Sequence, residues 1–557
     1  MPAFRDRPGR SLGAALMAAA FLTVSCAADD KGGSAAGSGP TGAPTRGGSA
    51  TIAVNAEPSC FDIHVSPQDI TASIERNVFD SLVSQDAQGG FHPWLAASWE
   101  VAPDLTSYTF KLRTDVTFTD GAPFDAAAVK ANFEHIAAKT TKSQYAASLL
   151  GGGAYAGTDV LDPSTVRVRF NKPFAPFLQA ASTAYLGFYS PRTLTDSADK
   201  LCAGGTHLVG TGPFKVAGYT KGQSLVLENN PAYRWAPATA KHQGAAYLDK
   251  LTYRFLQEDA VRVGALTSGQ VDAAAAIPPV NAKSVEGSSG TRILRRDFAG
   301  AVYSLFLNTT RAPFDDERVR KAVQRGIDVG KNVEAVYFGQ YKRAWSPLGP
   351  ATPGFSAALD NTWPYDPALA GKLLDEAGWS ARDGDGFRTK DGKRLTVSWP
   401  AAPGQVREQR DILAQAIQAD LKKIGVDVQR PALDLGSFTT NAYKGNYDLL
   451  DMSWARFEPD LLRLYFSSTS LPSSGGQNAA WLSNPEIDQW TAAGAATLDK
   501  ATRADVYGKT QAWVVDHAAV VPLYSATTLL GVAKHLAGVE FDPNAWPLFY
   551  DVWTTRP

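Results

Sequence analysis

The alternation of apolar and polar positions between residues 95 and 133 predicts a strand followed by a helix. In the run YTFKLR at 108–113, aromatic or aliphatic side chains alternate with Thr, Lys and Arg, which is the two-residue period of a strand with one buried face. Asp125 then offers a side-chain cap to a helix whose apolar positions fall at i, i+4 and i+7 from Val129. We therefore expect a half-buried strand and an amphipathic helix in this stretch.

The second half of the chain shows helical and strand patterns in alternation. Apolar side chains recur at helical spacing after Asp315 and after Asp366, so each aspartate is predicted to cap a helix. A third helix is predicted at about 409–424, where Gly425 ends the apolar pattern, with a strand at 426–428. Helices that alternate with strands predict an α/β fold.

The first residues predict an export signal. Three arginines precede a short apolar run at 11–25 that stops at Cys26, and this run is too short to span a bilayer in the mature protein. The sequence LTVSC at 22–26 resembles the lipobox at which bacterial lipoproteins are cleaved and acylated, although Thr23 occupies a position that is usually aliphatic. We expect residues 1–26 to be a lipoprotein signal with Cys26 as the lipidation site. An ordinary signal peptide with an incidental cysteine is the alternative.

Composition separates a linker from the folded part of the chain. Residues 27–48 are rich in Gly, Ser, Ala, Pro and Thr, which predicts a flexible linker. The long remainder forms most of a chain that is 44% hydrophobic, and it can bury more than one core. The net charge is -1 and no long run of one sign occurs, which argues against a nucleic-acid partner.

Two cysteines follow Cys26, at positions 60 and 202. Thiols of exported proteins tend to be oxidised in pairs, so a disulfide between Cys60 and Cys202 is one hypothesis. Two buried free thiols are the alternative, and the sequence leaves both open.

Sequence patterns of enzymes and metal sites were sought as well. The seven histidines are scattered, without H-E-x-x-H or C-x-x-C spacing, and no G-x-S-x-G motif occurs. The run DGDG at 383–386 begins like a calcium loop, but Arg394 stands where the final glutamate is required. We expect a protein that is not an enzyme and that has no metal and no cofactor.

Several motifs resemble the family 5 extracellular solute-binding proteins, the receptors of oligopeptide, dipeptide and nickel-chelate ABC importers. The similarity lies in residue identity and in order along the chain, and it extends over more than half of the sequence. The matching runs are EPSCFD at 57–62, RNVFDSLV at 76–83, VTFTDGAPF at 116–124, GTGPF at 210–214, LNTTRAPFDDERVRKAV at 307–323, YDPALAGKLLDEAGW at 365–379 and VVPLY at 520–524.

The resemblance implies a fold class and a domain organisation. The expected fold is α/β with two lobes, the periplasmic-binding-protein-like architecture of type II, cluster C, with an extra small domain inserted in lobe 1. Lobe 1 is expected at 49–296 and 521–557, with the inserted subdomain at about 84–204. Lobe 2 is expected at 297–520.

The resemblance also implies a receptor that captures a peptide or peptide-sized solute in the cleft between the lobes and delivers it to a membrane permease. Two crossings near 295–303 and 515–524 would form the hinge. The expected partners are the ligand, the permease and ATPase subunits, and the membrane through the lipid anchor, with a monomeric receptor at the outer face of the cytoplasmic membrane. A receptor of the same fold for a metal chelate, an oligosaccharide or another non-peptide ligand is the main alternative, and a secreted hydrolase is a more distant one.

The segment DMSWARFEPD at 451–460 is similar to the family segment that supplies ligand contacts. In the peptide receptors an aspartate three residues after the tryptophan holds the ligand's α-ammonium, whereas this chain has Phe457. The arginines that hold a nickel chelator are missing from 142–150 and 182–191, so the ligand itself is not named by the sequence. Aromatic rings stack on amide or sugar faces, and an arginine suits a carboxylate.

The candidate ligand-binding residues are therefore mostly aromatic. They are Phe61, Tyr145, Tyr185, Phe188, Tyr303, Trp399, Trp454, Arg456 and Phe457. For each aromatic residue a place in a lobe core is the alternative, and for Arg456 the alternative is a structural carboxylate partner.

Overall fold

The computed structural model describes residues 42–143, 145–403, 406–474 and 476–556. The predicted signal sequence, the lipidation site Cys26 and the first part of the predicted linker lie outside these residues. The last residues of that linker are bonded to the fold. Thr45 donates a hydrogen bond to the carbonyl of Thr554 (3.0 Å), and the Gly47 N–H donates to the carbonyl of Tyr247 (2.8 Å).

The strands, in chain order, are β1 Ser49–Val54, β2 Val83–Gln85, β3 Phe91–Pro93, β4 Ala96–Val101, β5 Ser107–Leu112, β6 Tyr155–Asp162, β7 Thr165–Phe170, β8 Phe214–Thr220, β9 Ser224–Asn229, β10 Lys250–Phe255, β11 Ala273–Ala274, β12 Thr291–Asp297, β13 Gly300–Leu307, β14 Lys342–Arg343, β15 Ala381–Arg382, β16 Arg388–Lys390, β17 Lys393–Arg394, β18 Thr396–Ser398, β19 Asp427–Gln429, β20 Leu449–Ala455, β21 Val520–Ser525, β22 Thr527–Ala533, β23 Leu536–Ala537, β24 Glu540–Phe541, β25 Pro547–Leu548 and β26 Trp553–Thr554.

The α-helices, in chain order, are α1 Asp69–Glu75, α2 Ala126–Ala137, α3 Tyr145–Leu149, α4 Phe177–Ala180, α5 Pro191–Asp196, α6 Asp259–Thr267, α7 Ala282–Gly287, α8 Glu317–Gly326, α9 Val329–Tyr337, α10 Pro367–Glu376, α11 Arg410–Lys423, α12 Leu435–Lys444, α13 Leu461–Phe466, α14 Pro485–Ala495 and α15 Lys500–Asp516.

Three sheets form the framework of the fold. The largest has the order β12-β22-β11-β1-β10-β9-β8, with β1 parallel to both β10 and β11 and the other neighbours antiparallel. The other two, β14-β21-β13-β20 and β4-β5-β7-β6, are antiparallel throughout. We call the part built on the largest sheet the first lobe, the part built on β14-β21-β13-β20 the second lobe, and the part built on β4-β5-β7-β6 the small-sheet region.

Each of these parts has its own hydrophobic core. Leu251 and Leu530 belong to the core of the first lobe, Phe110 and Val166 to that of the small-sheet region, and Leu305 to that of the second lobe, all fully buried. The apolar run of β13 is buried at every position, as expected for a strand that is covered on both faces.

The local predictions for residues 95–133 are confirmed. Strand β5 buries Tyr108, Phe110 and Leu112 and leaves the residues between them at least partly exposed. The carboxylate of Asp125 accepts a hydrogen bond from the N–H of Ala128 (2.9 Å) and caps α2.

The helices predicted in the second half are present, with one cap displaced. Asp366 caps α10 as predicted, and α11 and β19 lie within one residue of their predicted bounds. The prediction of Asp315 as a cap is wrong by one residue, since Asp316 accepts from the N–H of Arg318 (2.9 Å) and caps α8. The N–H of Asp315 donates to the carbonyl of Arg311 (2.9 Å), so Asp315 belongs to the turn before the helix.

The chain passes between the first and second lobes at two adjacent points. One is the break between β12 and β13 at residues 298–299, and the other is Ala526, between β21 and β22. The N–H of Phe298 donates to the carbonyl of Ala526 (3.0 Å), so the two segments run side by side. The first point lies inside the predicted range 295–303, and the second lies just after 515–524.

Cys60 and Cys202 are joined by a disulfide, with their Cα atoms 4.1 Å apart. The N–H of Phe61 donates to the carbonyl of Cys202 (3.2 Å) beside it. Of the two hypotheses that the sequence left open, the structure contains the disulfide. It ties the loop after β1 to the segment after α5.

Candidate functional site

A cavity of about 420 Å³, its opening included, lies at the two crossings between the first and second lobes. Its wall combines backbone of both crossings with side chains of α1, β20 and the segment that leads into α11. The part of this space in which a water molecule fits measures about 50 Å³, which is smaller than the roughly 300–1,000 Å³ of typical small-molecule sites. A peptide-sized ligand therefore enters only when the walls move apart. The side chains on its wall include Asp69, Tyr303, Arg407, Glu408, Arg410, Ser453, Trp454 and Tyr524.

A glycine at the first crossing brings the main chain of β13 close to β20. Gly300 has a φ of +113°, and a Cβ at this position would lie 2.2 Å from the carbonyl oxygen of Trp454. Glycine alone accommodates both conditions without strain. The Gly300 N–H donates to the hydroxyl of Thr352 (2.7 Å), so this part of the cavity wall is main chain in a fixed position.

A hydrogen-bonded group of charged and hydroxyl side chains forms the second-lobe wall. Arg410 donates to the Tyr524 hydroxyl (3.0 Å) and to the Glu408 carboxylate (2.9 Å). It also donates to the hydroxyl of Ser453 (2.7 Å), and its guanidinium lies 4.1 Å from the ring centre of Tyr303. The Tyr524 hydroxyl donates to Glu408 in turn (2.6 Å). Arg410 and Glu408 therefore neutralise each other inside the wall.

Glu408 is an anion in this group. Burial raises its pKa, but the positive charges of Arg410 and Arg407 and the hydrogen bonds from Tyr524 and Arg410 lower the pKa to about 2. The carboxylate consequently stays ionised at neutral pH and keeps its hydrogen-bond donors in place.

Helix α1 contributes Asp69 to the wall, and aromatic side chains of the small-sheet region lie next to it. Asp69, at the start of α1, accepts a 3.4 Å hydrogen bond from the Tyr185 hydroxyl. Tyr185 packs edge-on against Tyr145, with ring centres 4.6 Å apart, and Tyr145 lies 4.6 Å from the ring centre of Trp454. Since Trp454 belongs to β20, these rings meet where the small-sheet region faces the second lobe.

The residues after Trp454 make further contacts across this gap. The Arg456 guanidinium donates to the side-chain oxygen of Gln179 (3.2 Å), and the Phe457 N–H donates to the side-chain oxygen of Asn544 (3.0 Å). Both partners lie outside the second-lobe sheet, so the segment bridges the two sides.

The structure brings some of the predicted site residues to the cavity. Tyr303 and Trp454 line it, and Tyr145 and Tyr185 pack around Trp454 and Asp69. Arg456 and Phe457 follow Trp454 along the chain and are buried in the bridging contacts just described.

The other predicted aromatic residues lie in cores. Phe61 packs against Tyr219 with ring centres 4.9 Å apart, and Phe188 packs against Phe124 at 5.1 Å. Trp399 is fully buried in the second-lobe core, where its ring N–H donates to Asp451 (2.6 Å). For these three, the structure corresponds to the core alternative.

The sequence interpretation missed the charged residues of the wall, namely Asp69, Arg407, Glu408 and Arg410. The run VREQR at 406–410 carries a usable signal, because three charged residues stand immediately before a predicted helix, where loops commonly carry binding residues. Asp69 carries no comparable signal, since an acidic residue at a helix start is common for electrostatic reasons alone.

Metal and membrane features were sought in the described ranges. Within them, no group of three or more His, Cys, Asp or Glu side chains is arranged to hold a metal ion. In the same part of the chain, none of the helices combines the length and apolar character needed to cross a bilayer.

Known proteins with similar sequence are solute receptors. The glutathione-binding protein GsiB of Shigella dysenteriae serotype 1 is 25% identical over 512 residues, which cover 90% of this chain and 93% of the relative. The same protein from Escherichia coli K12 is similar to the same extent.

Solved structures agree with the fold. NikA from Brucella suis in complex with Fe(III)-EDTA has a TM-score of 0.79 at 26% identity, covering 91% of this chain and 100% of NikA. The oligopeptide-binding protein AppA from Bacillus subtilis in complex with a nonapeptide has a TM-score of 0.79 at 22% identity, covering 92% of this chain and 100% of AppA. The predicted fold class, an α/β periplasmic-binding-protein-like fold with two lobes, is confirmed.

Residues 90–474 match the middle region of the bacterial extracellular solute-binding proteins, family 5. The match spans more than half of the chain, and it includes β20, the segment before α11 and the first of the two crossings. The resemblance that the sequence motifs indicated is thereby confirmed. The chain belongs to the bacterial extracellular solute-binding proteins of family 5.

Proposed function

We propose that this protein is the solute receptor of an ABC importer and that it binds a peptide or peptide-sized solute in the cavity at the two crossings. The observation that carries the proposal is the composition of the cavity wall, which joins Asp69 of the first lobe to Arg407 and Trp454 of the second. A ligand that touches both walls favours the closed form by the contacts it gains there. The permease then recognises the closed, loaded receptor.

A few contacts with a small ligand can supply the free energy needed to close the lobes. Shifting the closed form from 1% to 99% takes about 5.5 kcal/mol of differential binding. A hydrogen bond to a charged group contributes about 1.5–3 kcal/mol, so about two to four contacts made only in the closed form are enough.

Arg407 is the wall residue best placed to bind a ligand carboxylate. Its side chain is 47% exposed, and its nearest ionic partner is the Glu408 carboxylate at 3.7 Å. Among the described residues its guanidinium has no hydrogen-bond partner, so its donors are free for a planar anion. Carboxylate recognition suits peptides, and glutathione, which the similar GsiB protein binds, is a peptide. It also suits a metal chelate, which is the alternative that the likeness to NikA with Fe(III)-EDTA favours.

We place the receptor outside the cytoplasm, attached to the outer face of the cytoplasmic membrane through an acylated Cys26. The apolar run before Cys26 and the linker after it support this location. The mature receptor acts as a monomer that presents its closed form to the permease and ATPase subunits.

A thermal-shift screen of the purified protein tests the proposal. The probes are glutathione, the dipeptide Met-Leu, Ni(II)-histidine and Fe(III)-EDTA. A bound probe at 100 times its Kd stabilises the folded state by about 2.7 kcal/mol, which raises the melting temperature measurably. A rise with either peptide supports a peptide receptor, and a rise with a chelate alone supports the alternative. Absence of any rise, or chemical alteration of a probe during incubation, would overturn the receptor function.

A further inference from the structure

We infer that Asp69 is the cation-binding residue of the ligand site, so that the ligand is a zwitterion whose ammonium or other cationic group faces the first lobe and whose carboxylate faces Arg407. This inference rests on the proposed receptor function and deepens it. It assigns a binding role to a residue of the first lobe and places the two charges of the ligand on opposite walls.

The first support is that Asp69 lacks a strong partner. Among the described residues, the carboxylate accepts one side-chain hydrogen bond, from the Tyr185 hydroxyl at a long 3.4 Å. It has no ion pair within 4 Å in that part of the chain, although it lines the cavity. A carboxylate that is removed from water without a cation in contact with it is costly, and a ligand cation would supply that contact.

The second support is that the other acidic residue of the wall is already paired. Glu408 accepts hydrogen bonds from Arg410 (2.9 Å) and from the Tyr524 hydroxyl (2.6 Å). Arg410 in turn is bound to Glu408, Tyr524 and Ser453. Apart from this pair, the charged side chains of the wall are Asp69, which has no ion pair within 4 Å among the described residues, and Arg407, whose 3.7 Å ion pair with Glu408 includes no hydrogen bond. The two belong to different lobes, so a ligand that joins them favours closure.

The third support is that Asp69 is held in a fixed position. Helix α1 buries its other face through Ala72 and Ile74, and the Thr71 hydroxyl donates to the carbonyl of Cys60 (2.9 Å), a disulfide-bonded residue. Tyr185, the hydrogen-bond donor, is fully buried between other aromatic rings. A charged group on a rigid element binds its counter-ion without an ordering penalty.

The electrostatic surroundings of Asp69 suit a bound cation. Burial raises the pKa of Asp69, and the positive charge of Arg407 is the largest influence that opposes it, followed by the hydrogen bond from Tyr185. Glu408 and Arg410 also face the group and act in opposite directions. Burial makes the ionised form of Asp69 less stable, which is why its pKa is raised. A bound cation would offset this cost.

Isothermal titration calorimetry at pH 7.5 tests the inference with Met-Leu and glutathione and with their N-acetylated forms. Acetylation removes the ammonium charge and leaves the carboxylate. The wild type is expected to bind at least one free form at least tenfold more tightly than its acetylated form. Asp69→Asn, which keeps the shape of the side chain, is expected to weaken binding of the free form at least tenfold and to bind both forms about equally.

Asp505→Asn serves as the matched control, because Asp505 is 58% exposed on α15 and pairs with Lys509 there. It is expected to bind as the wild type does. Without ligand, the melting temperature of Asp505→Asn should match the wild type and that of Asp69→Asn should be no lower, which separates a binding role from a structural one.

Three outcomes would overturn the inference: equal affinity of the wild type for free and acetylated probes, wild-type affinity in Asp69→Asn, or no binding of either zwitterion. If neither zwitterion binds but Fe(III)-EDTA or Ni(II)-histidine does, the protein is still a receptor and the role assigned to Asp69 is wrong. If no probe of the thermal-shift screen binds, the receptor function falls with it.

Discussion

The two lobes bury their carboxyl groups in opposite electrostatic states. In the first lobe Glu75 is fully buried, and among the described residues neither of its carboxyl oxygens has a hydrogen-bond partner. In the second lobe Asp460 is equally buried, but it accepts hydrogen bonds from Arg463 (2.7 Å) and from the Tyr507 hydroxyl (2.9 Å). The first group is an isolated acid and the second is one half of an ion pair.

The pKa shifts follow this difference. Burial raises the pKa of Glu75 well above 4.5, and the negative charge of Asp62 raises it further. Burial also raises the pKa of Asp80 to about 7 and that of Asp542 to about 6, against the hydrogen bonds that each accepts. For Asp460 burial acts in the same direction, but the positive charge of Arg463 and its hydrogen bonds outweigh it and lower the pKa.

The comparison teaches that burial alone does not decide the state of a carboxyl group. An arginine within hydrogen-bond distance keeps the group ionised, and its absence favours the protonated acid. Glu75 of the first lobe therefore stabilises the fold most when it is protonated, whereas Asp460 of the second lobe does so when it is ionised and paired.

Removing the cation from the buried pair is the most damaging change that we predict. Arg463→Met leaves the Asp460 carboxylate buried with Tyr507 as its main remaining donor. Breaking a buried pair from one side costs about 3–5 kcal/mol, and we expect the free energy of unfolding in urea to fall by that amount. Arg463→Lys, which keeps a positive charge, should lose less than half as much. A loss below about 1 kcal/mol in Arg463→Met would show that the pair does not stabilise the lobe.

Glu75→Gln should change the pH dependence of stability in the first lobe. Because the folded state holds the Glu75 proton more tightly than the unfolded state, stability is full below about pH 4.5 and falls as pH rises through the raised pKa. The decline is at most about 1.4 kcal/mol for each pH unit while the group titrates. The variant lacks this decline, so it should match the wild type near pH 5 and exceed it at pH 8 in urea unfolding.

Glu134→Gln is the control for this change. Glu134 pairs with Lys130 on the surface of α2 and is 54% exposed, so its loss should leave the pH profile unaltered. Parallel pH profiles for the wild type and Glu75→Gln between pH 5 and pH 8 would mean that Glu75 does not titrate with folding.

Much of the fold was predictable from local patterns in the sequence. The strand around Phe110 and the caps at Asp125 and Asp366 depend on residues a few positions apart, so their spacing was sufficient. The displaced cap at Asp316 shows the limit, because two adjacent aspartates fit the same pattern and a hydrogen bond to Arg311 decides between them. The position of the second crossing at Ala526 depends on its hydrogen bond with Phe298. This contact joins residues far apart in sequence, so a local pattern could not predict it.

The site was predictable in part. Trp454 and Tyr303 line the cavity, and their contact with a ligand stays a prediction. Phe188 and Trp399 lie in cores, because large rings suit a core and a binding wall equally well. The pairing state of a charge could not be predicted. Nothing near Asp69 in sequence shows that its carboxylate has no ion pair, since its surroundings in the fold come from distant segments.

The smallest loss of unfolding free energy that we predict is for removing an exposed cation, Lys423, from a buried carboxylate of the second lobe. Asp420 is buried like Asp460, yet its lysine partner, Lys423 at 2.7 Å, is 61% exposed. The Asp420 carboxylate also accepts from the N–H of Asp328 (3.0 Å) and from the side-chain amide of Asn332 (2.7 Å). These two donors remain in Lys423→Met, so we expect a loss of about 0–1 kcal/mol in urea unfolding, the range of exposed pairs.

Asn332→Ala at the same carboxylate should cost more than Lys423→Met, because it removes a buried donor and leaves one carboxylate oxygen with the backbone N–H of Asp328. A hydrogen bond to a charged group contributes about 1.5–3 kcal/mol. If Lys423→Met proved as damaging as Arg463→Met, the charge of the partner rather than its burial would set the stability of these pairs. The difference between the buried carboxyl groups of the two lobes would then be set by the presence of a positive charge and not by whether that charge is buried.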